Sequence, residues 1–138
     1  MDVTTGARFH IGEHTISILC RSLLFAIFAM KAEHIIIYEA IFLVNVLFHH
    51  ANLSISEPVD RIYRILFTSP NMHKVHHSDM PIETDSNYTS LFSFWDRLFS
   101  TYRIVDNPKR IVYGIKGMEQ EQSVVAMMLT PFKDIQTK

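Results

Sequence analysis

TISILCRSLLFAIFAMKAEHIIIYEAIFLVNVLF, residues 15–48, consists of two strongly apolar runs, 15–30 and 34–48, parted by the polar break Lys31-Ala32-Glu33. The pattern predicts a helical hairpin. Sixteen helical residues span about 24 Å, less than the roughly 30 Å hydrocarbon core of a bilayer. Arg21, Glu39 and Asn45 also interrupt the apolar runs. Two readings follow: a short membrane hairpin whose polar residues face the protein interior, or a hairpin buried in a soluble bundle. Segment length by itself favours the soluble one. Either way an antiparallel return brings His10 and His14 to the side where His49 and His50 stand, whereas one continuous helix would hold these groups roughly 50 Å apart.

Histidine placement gives that return its meaning. All but His34 fall in three groups: His10 with His14, His49 with His50, and His73, His76 and His77 within MHKVHHSD. Offsets of three and four residues stack side chains on one helix face. Ser69 is a natural cap and Pro70 suits the first helical position, so a helix is expected from residue 70, with Pro81 as its latest end. Imidazole suits iron, zinc and copper, and a histidine set without thiolate argues against a zinc finger. The competing reading is a solvated helix with incidental histidines.

Composition narrows the alternatives. The chain has 138 residues, enough for one domain with a real core, and a formal net charge of -1 that leaves no nucleic-acid footprint. The single cysteine, Cys20, excludes an internal disulfide and is expected as a small buried hydrophobe. The N-terminus lacks the basic start and apolar run of a signal peptide. Past the hairpin, Val59, Ile62, Tyr63, Leu66 and Phe67 repeat at helical spacing after Glu57-Pro58. That helix suits a membrane surface or a core-facing position equally. Leu91, Phe92, Trp95, Leu98 and Phe99 form a second stripe, for which a structural role is expected. Residues 103–118 read as loop with a short strand at RIVYGI, and residues 119–132 as a closing helix whose Val124, Val125, Met128, Leu129 and Phe132 pack.

Taken together, RFHIGEH, LFHHAN, MHKVHHSD and ETDSNYTSLFSFWDRLFSTY resemble, in order and spacing, the second half of the fatty acid hydroxylase and sterol desaturase superfamily, over residues 1–117. The resemblance implies an all-α fold: a membrane helical hairpin followed by cytoplasmic and interfacial helices that carry the histidine cluster. It tips the hairpin toward the membrane. It implies a single partial domain, with the hairpin at 15–48, a histidine-rich catalytic region at 49–102, and a loop and C-terminal helix at 103–138. The implied activity is that of a histidine-coordinated dimetal oxidoreductase, usually di-iron, that uses dioxygen to hydroxylate or desaturate a sterol or fatty acyl substrate.

Carried over by position, His50, His73, His76 and His77 would be metal ligands, with His10 and His49 as outlying candidates; zinc could take iron's place. Asp79, Asp85 and Asn87 would support the ligands. Trp95, Asp96 and Arg97 would hold the structure beneath the site. The family commonly has glycine where this chain has Thr89 and Ser100, which implies altered turns. No counterpart of the family's earlier histidine boxes is present, so the chain reads as a truncated form in which His10, His50, His73, His76 and His77, five ligands at most, fall short of the about eight that two octahedral irons want. The implied partners are a lipid substrate, a membrane, an electron donor such as a cytochrome or ferredoxin-type protein, and a chain supplying the missing boxes, with no nucleic acid. The alternative function is a catalytically silent membrane protein retaining a structural mononuclear metal site; a soluble zinc hydrolase is a third. Ten of the thirteen basic residues follow the hairpin, which places the histidine face in the cytoplasm, at the endoplasmic reticulum in a eukaryote or the inner membrane in a bacterium.

Overall fold

A computed structural model describes residues 1–7, 10–114 and 123–130. Among them every regular element is helical: a 3-10 turn at Val3–Ala7, α1 (Ile11–Ile27), α2 (Ala32–His50), α3 (Glu57–Tyr63), α4 (Pro70–His76), α5 (Pro81–Thr84), α6 (Phe94–Leu98), a second 3-10 turn at Pro108–Arg110, and α7 (Val124–Leu129). The all-α expectation holds, and α2, with 19 residues, is long and apolar enough to cross a membrane.

The hairpin closes through local chemistry. Ala29 adopts a left-handed φ of 47°. The Ala29 amide bonds Ala26 O and the Met30 amide bonds Phe25 O, a Schellman arrangement that ends α1 and turns the chain. Antiparallel contact follows, with Phe25 edge-on to Tyr38 at 5.4 Å between centroids. Arg21 Nη1 donates to both Glu39 carboxylate oxygens at 2.9 and 3.0 Å. Two of the polar residues that interrupt the apolar runs thus pair between the helices, the arrangement that makes charge tolerable at membrane depth, while Asn45 Nδ2 donates to Ile41 O of its own helix at 2.8 Å. α1 buries none of its residues. Cys20 is exposed rather than buried, in line with the rest of α1.

The interior lies at the far end of α2, and it is polar. Among the described residues Val46, Met72, Val75 and Pro70 are the buried apolar ones, against a larger buried polar set that includes His49, His50, Asp60, Asn87 and Asp96. α2 packs on the first 3-10 turn and on α4, and α4 packs on α5 and the second 3-10 turn. Such a distribution, apolar outside and hydrogen-bonded within, inverts that of a soluble domain.

Several expected boundaries move. The helix from Pro70 starts as predicted, with Ser69 accepting from the Met72 amide, but ends at His76. Pro81, expected only as a stop, opens α5. α3 ends at Tyr63, and Phe67 instead bridges to Phe92. The strand at RIVYGI reduces to one bridge, Ser78 with Tyr113; Ile115 lies outside the described residues. Of the closing helix only α7 is described, while 119–122 and 131–132, Phe132 among them, lie outside. Val124, Val125, Met128 and Leu129 stand exposed rather than packed. Ser100 has φ 59°, the left-handed conformation for which glycine is suited.

A three-histidine focus at the end of the hairpin

α2 delivers His50 on its last turn, and α4 delivers His73 and its C-cap His77 one helical turn apart. Their Nε2 atoms converge: His73 to His50 at 3.1 Å, His77 to His50 at 3.2 Å, and His77 to His73 at 3.1 Å. Three ring nitrogens in mutual contact cannot satisfy one another, because a nitrogen that carries a proton has no lone pair left to accept. The His50 Nδ1–H donates to Val46 O at 2.8 Å, which leaves the His50 Nε2 lone pair facing the other two rings. A cation at the centre resolves the conflict. Metal–nitrogen bonds of about 2.1 Å meeting at right angles would set these edges at about 3.0 Å, and tetrahedral angles at about 3.4 Å. The observed edges sit nearer the facial arrangement, so the donor set fits a metal ion.

His49 joins this focus from the side. It is 0 % exposed, its ring lies 4.0 Å from that of His73, and neither of its nitrogens has a hydrogen-bond partner. His49, His50 and His73 each offer a ligand atom within 4.8 Å of the others, a second triad sharing two members with the first. The Nε2 triangle is the tighter and has one tautomer fixed. His73 Nδ1 is likewise buried without a partner. Burial, then the neighbouring rings, holds His73 well below the ordinary imidazole range, and burial lowers His77 to about 4. Both are neutral at pH 7, the form a metal needs.

The other candidate residues take different places. The His76 ring lies 5.4 Å from that of His73 and 5.3 Å from that of His77, outside the Nε2 triangle, with its Nδ1–H donating to Ser86 O at 2.8 Å and its ring edge-on to Tyr88 at 5.4 Å. With His77, Asp85 and Tyr88 it lines a cavity of about 320 Å³. His10 caps α1, its Nδ1 accepting from the Gly12 amide at 3.1 Å, while Nε2 lies 3.0 Å from Met128 O. It makes no described hydrogen bond or ring contact with the focus. Asn87 works on the helix rather than on a ring, donating to Met72 O and Arg103 O and accepting from the Arg103 amide. Asp79 contributes a backbone bond to Val112 O.

Gly6 and two backbone carbonyls carry roles that the side-chain pattern could not announce. A Cβ on Gly6 would meet Val46 Cγ1 at 2.7 Å and His50 Nδ1 at 3.0 Å. Gly6→Ala should therefore push His50 off the triangle, weakening metal binding about tenfold and costing about 1–3 kcal/mol of stability, as read by metal titration and thermal unfolding. Unchanged affinity would show that the 3-10 turn is free to yield.

Comparisons with known proteins bear on the family. The chain is 28% identical over 71 residues to an alkylglycerol monooxygenase of Caenorhabditis elegans, covering 51% of this chain and 14% of that protein. It is 36% identical over 50 residues to the Xenopus tropicalis alkylglycerol monooxygenase, covering 36% and 11% respectively. It is 29% identical over 84 residues to the ornithine lipid hydroxylase OlsE of Rhizobium tropici, covering 60% and 24%. The chain thus spans at most about a quarter of the length of these relatives. No solved structure matches it. The family model for fatty acid hydroxylase matches residues 1–101, which take in α1 to α6 and all the converging histidines, and the chain belongs to that family.

Proposed function

We propose that the chain carries the metal centre of a membrane lipid hydroxylase, in which His50, His73 and His77 hold iron and His49 stands ready as a further ligand. The observation that carries this reading is the Nε2 triangle, three neutral donors on one focus with edges of 3.1 to 3.2 Å. Three protein donors would leave positions on the ion for oxygen, as oxygen-using iron sites require. Family membership and the similarity to proteins named as a monooxygenase and a hydroxylase support hydroxylation over desaturation.

When bound, iron with dioxygen, two electrons and two protons supplies the conversion of a C–H bond into C–OH with release of water. The chain's own part is to hold and shield. Val46 O fixes the proton of His50 on Nδ1, and Ser86 O does the same for His76, so that each ring keeps Nε2 as a donor. A groove of about 690 Å³ between α1 and α2 has Ile11, Ala40, Phe42, Leu43 and Val46 as its apolar wall, carries Glu13, His14, Ser17 and the Arg21–Glu39 pair as its polar groups, and takes in Gly6, which lies against His50. Its apolar wall suits a hydrocarbon chain and its polar groups a headgroup, and the substrate class follows: a lipid bearing a long alkyl or acyl chain. A second iron would need His49, His76 and donors besides these.

One observation favours a second reading. A single focus of three nitrogens also suits one structural ion in a catalytically silent membrane protein. Metal analysis of the detergent-purified chain, combined with mass spectrometry of oxidised lipid in its host membrane, separates the two. At least one iron per chain, with an oxygen-dependent lipid product that vanishes in His77→Ala, is expected. Bound zinc without product would instead support the silent protein, and a chain that takes up no metal would sink both.

A further inference from the structure

We propose that the surface formed by residues 59–66 and 92–99 is a membrane-seating shelf, which lies in the interfacial layer of a lipid bilayer beside the end of α2. It goes beyond the metal reading and does not depend on it. A chain of rings defines the shelf. Phe48, on the last turns of α2, lies edge-on to Tyr63 at 5.5 Å, Tyr63 meets Phe67 at 5.4 Å, and Phe67 stacks on Phe92 at 5.7 Å. From Phe92 the contact passes to Phe94 at 5.7 Å, to Trp95 at 4.6 Å and to Phe99 at 6.2 Å.

The two segments move as one piece. The Thr68 amide bonds Leu91 O and the Ser93 amide bonds Leu66 O. Ser93 Oγ and Arg97 Nη2 both donate to Arg64 O at 2.7 Å. On this braced support, large apolar side chains stand out: Ile62 is 72 % exposed, Phe99 70 %, Leu98 65 % and Trp95 44 %. With Ile65 they present roughly 500 Å² of apolar surface, at the upper end of what a soluble monomer leaves uncovered.

The occupant is argued from position and composition. The ring chain starts on α2, the helix long and apolar enough to span a membrane, and at its end, which is where a bilayer's interfacial layer would lie. Tyrosine and tryptophan favour that depth, and the exposed Arg61 has the length to reach phosphate groups from it. A docking protein would instead be met by a polar rim and paired charges around the apolar patch. Asp96, the acidic residue within the shelf's second segment, is buried and turned inward.

Trp95 is the chain's single tryptophan, so its fluorescence reports this surface without any substitution. The full chain would be reconstituted into phosphatidylcholine–phosphatidylglycerol vesicles carrying a spin label either just below the headgroup or near the acyl terminus, with aqueous iodide as the opposing quencher. Stronger quenching by the shallow label, at least twofold over the deep one, and protection from iodide are expected. A Leu98→Glu/Phe99→Glu variant should lose most of that lipid quenching while keeping the metal content and helicity of the parent, which separates failure of the shelf from failure of the histidine site. Free quenching by iodide would overturn the proposal, as would preferential quenching by the deep label. So would shielding from all three quenchers, which would mean that protein covers the shelf.

Discussion

His73→Ala is expected to abolish metal binding, lowering affinity by at least about a hundredfold, beyond the cost of losing a group that merely supports a ligand. His73 is, with His50, one of the two members common to both triads, with Nε2 at 3.1 Å from His50 and from His77 and its ring 4.0 Å from that of His49. Its removal leaves two donors from the triangle, too few to displace the hydration of a divalent ion at low concentration. The readout is thermal unfolding with and without added iron. A ligand at 100 times its dissociation constant stabilises the folded state by about 2.7 kcal/mol. That gain should appear in the parent and vanish in the variant. His34→Ala and His14→Ala, which remove histidines outside the focus, should retain it. An undiminished shift in His73→Ala would mean that the triangle is not the site.

The same cluster sets a pH dependence in the metal-free chain. His73 and His77 have folded pKa values below the ordinary 6.5, so the unfolded state binds more protons once pH falls under that value. Stability contributed by these rings is present above about pH 6.5 and declines as the pH falls toward 4. Metal opposes the decline, because a ligated nitrogen has no lone pair to protonate.

The histidine pattern was legible because its information lies in side chains at fixed spacing. Ser69-Pro70 announced a helix start, and offsets of three and four announced a shared face. But the helix ends at His76, so it is His77, on the C-cap, that closes the triangle with His73, while the His76 Nδ1–H donates to Ser86 O. Spacing within a helix cannot show where the helix stops. The hairpin return was also legible and brought His49 and His50 to α4, yet His10 was drawn off as a cap for α1. A histidine's ability to cap competes with its ability to ligate, and sequence alone does not rank the two. Val46 O, Ser86 O and Gly6 carried no signal, since every residue has a carbonyl and a glycine reveals nothing of what approaches it. Cys20 and the α7 residues were misplaced for one reason: apolarity predicts removal from water, not burial within this chain.

Asp96→Ala should be among the most destabilising single substitutions outside the histidines, costing about 3–5 kcal/mol. The carboxylate is 1 % exposed and organises the loop that faces α4. It accepts from the Tyr88 amide at 2.9 Å, the Thr89 amide at 3.3 Å, the Thr101 hydroxyl at 2.7 Å and the Thr89 hydroxyl. Truncation strands these donors in a site with little water, and each unmatched buried donor costs about 1–3 kcal/mol before relaxation. Thr89, where the family commonly has glycine, is thus not a neutral departure, because its hydroxyl completes the carboxylate's shell and its carbonyl accepts from Thr68 Oγ1 at 2.9 Å. The damage should also reach the metal. Residues 86–88 of this loop hold His76 through Ser86 O and α4 through Asn87, so a loosened loop frees the helix that presents His73 and His77. The expected result is a fall in unfolding temperature on the order of 10 °C or more in detergent, with weaker metal binding alongside. Asp96→Asn should fall between, since the amide oxygen keeps part of the acceptor set while its NH₂ opposes the donors. If Asp96→Ala unfolds within about 1 kcal/mol of the parent, the loop is held from elsewhere and its link to the histidine focus fails.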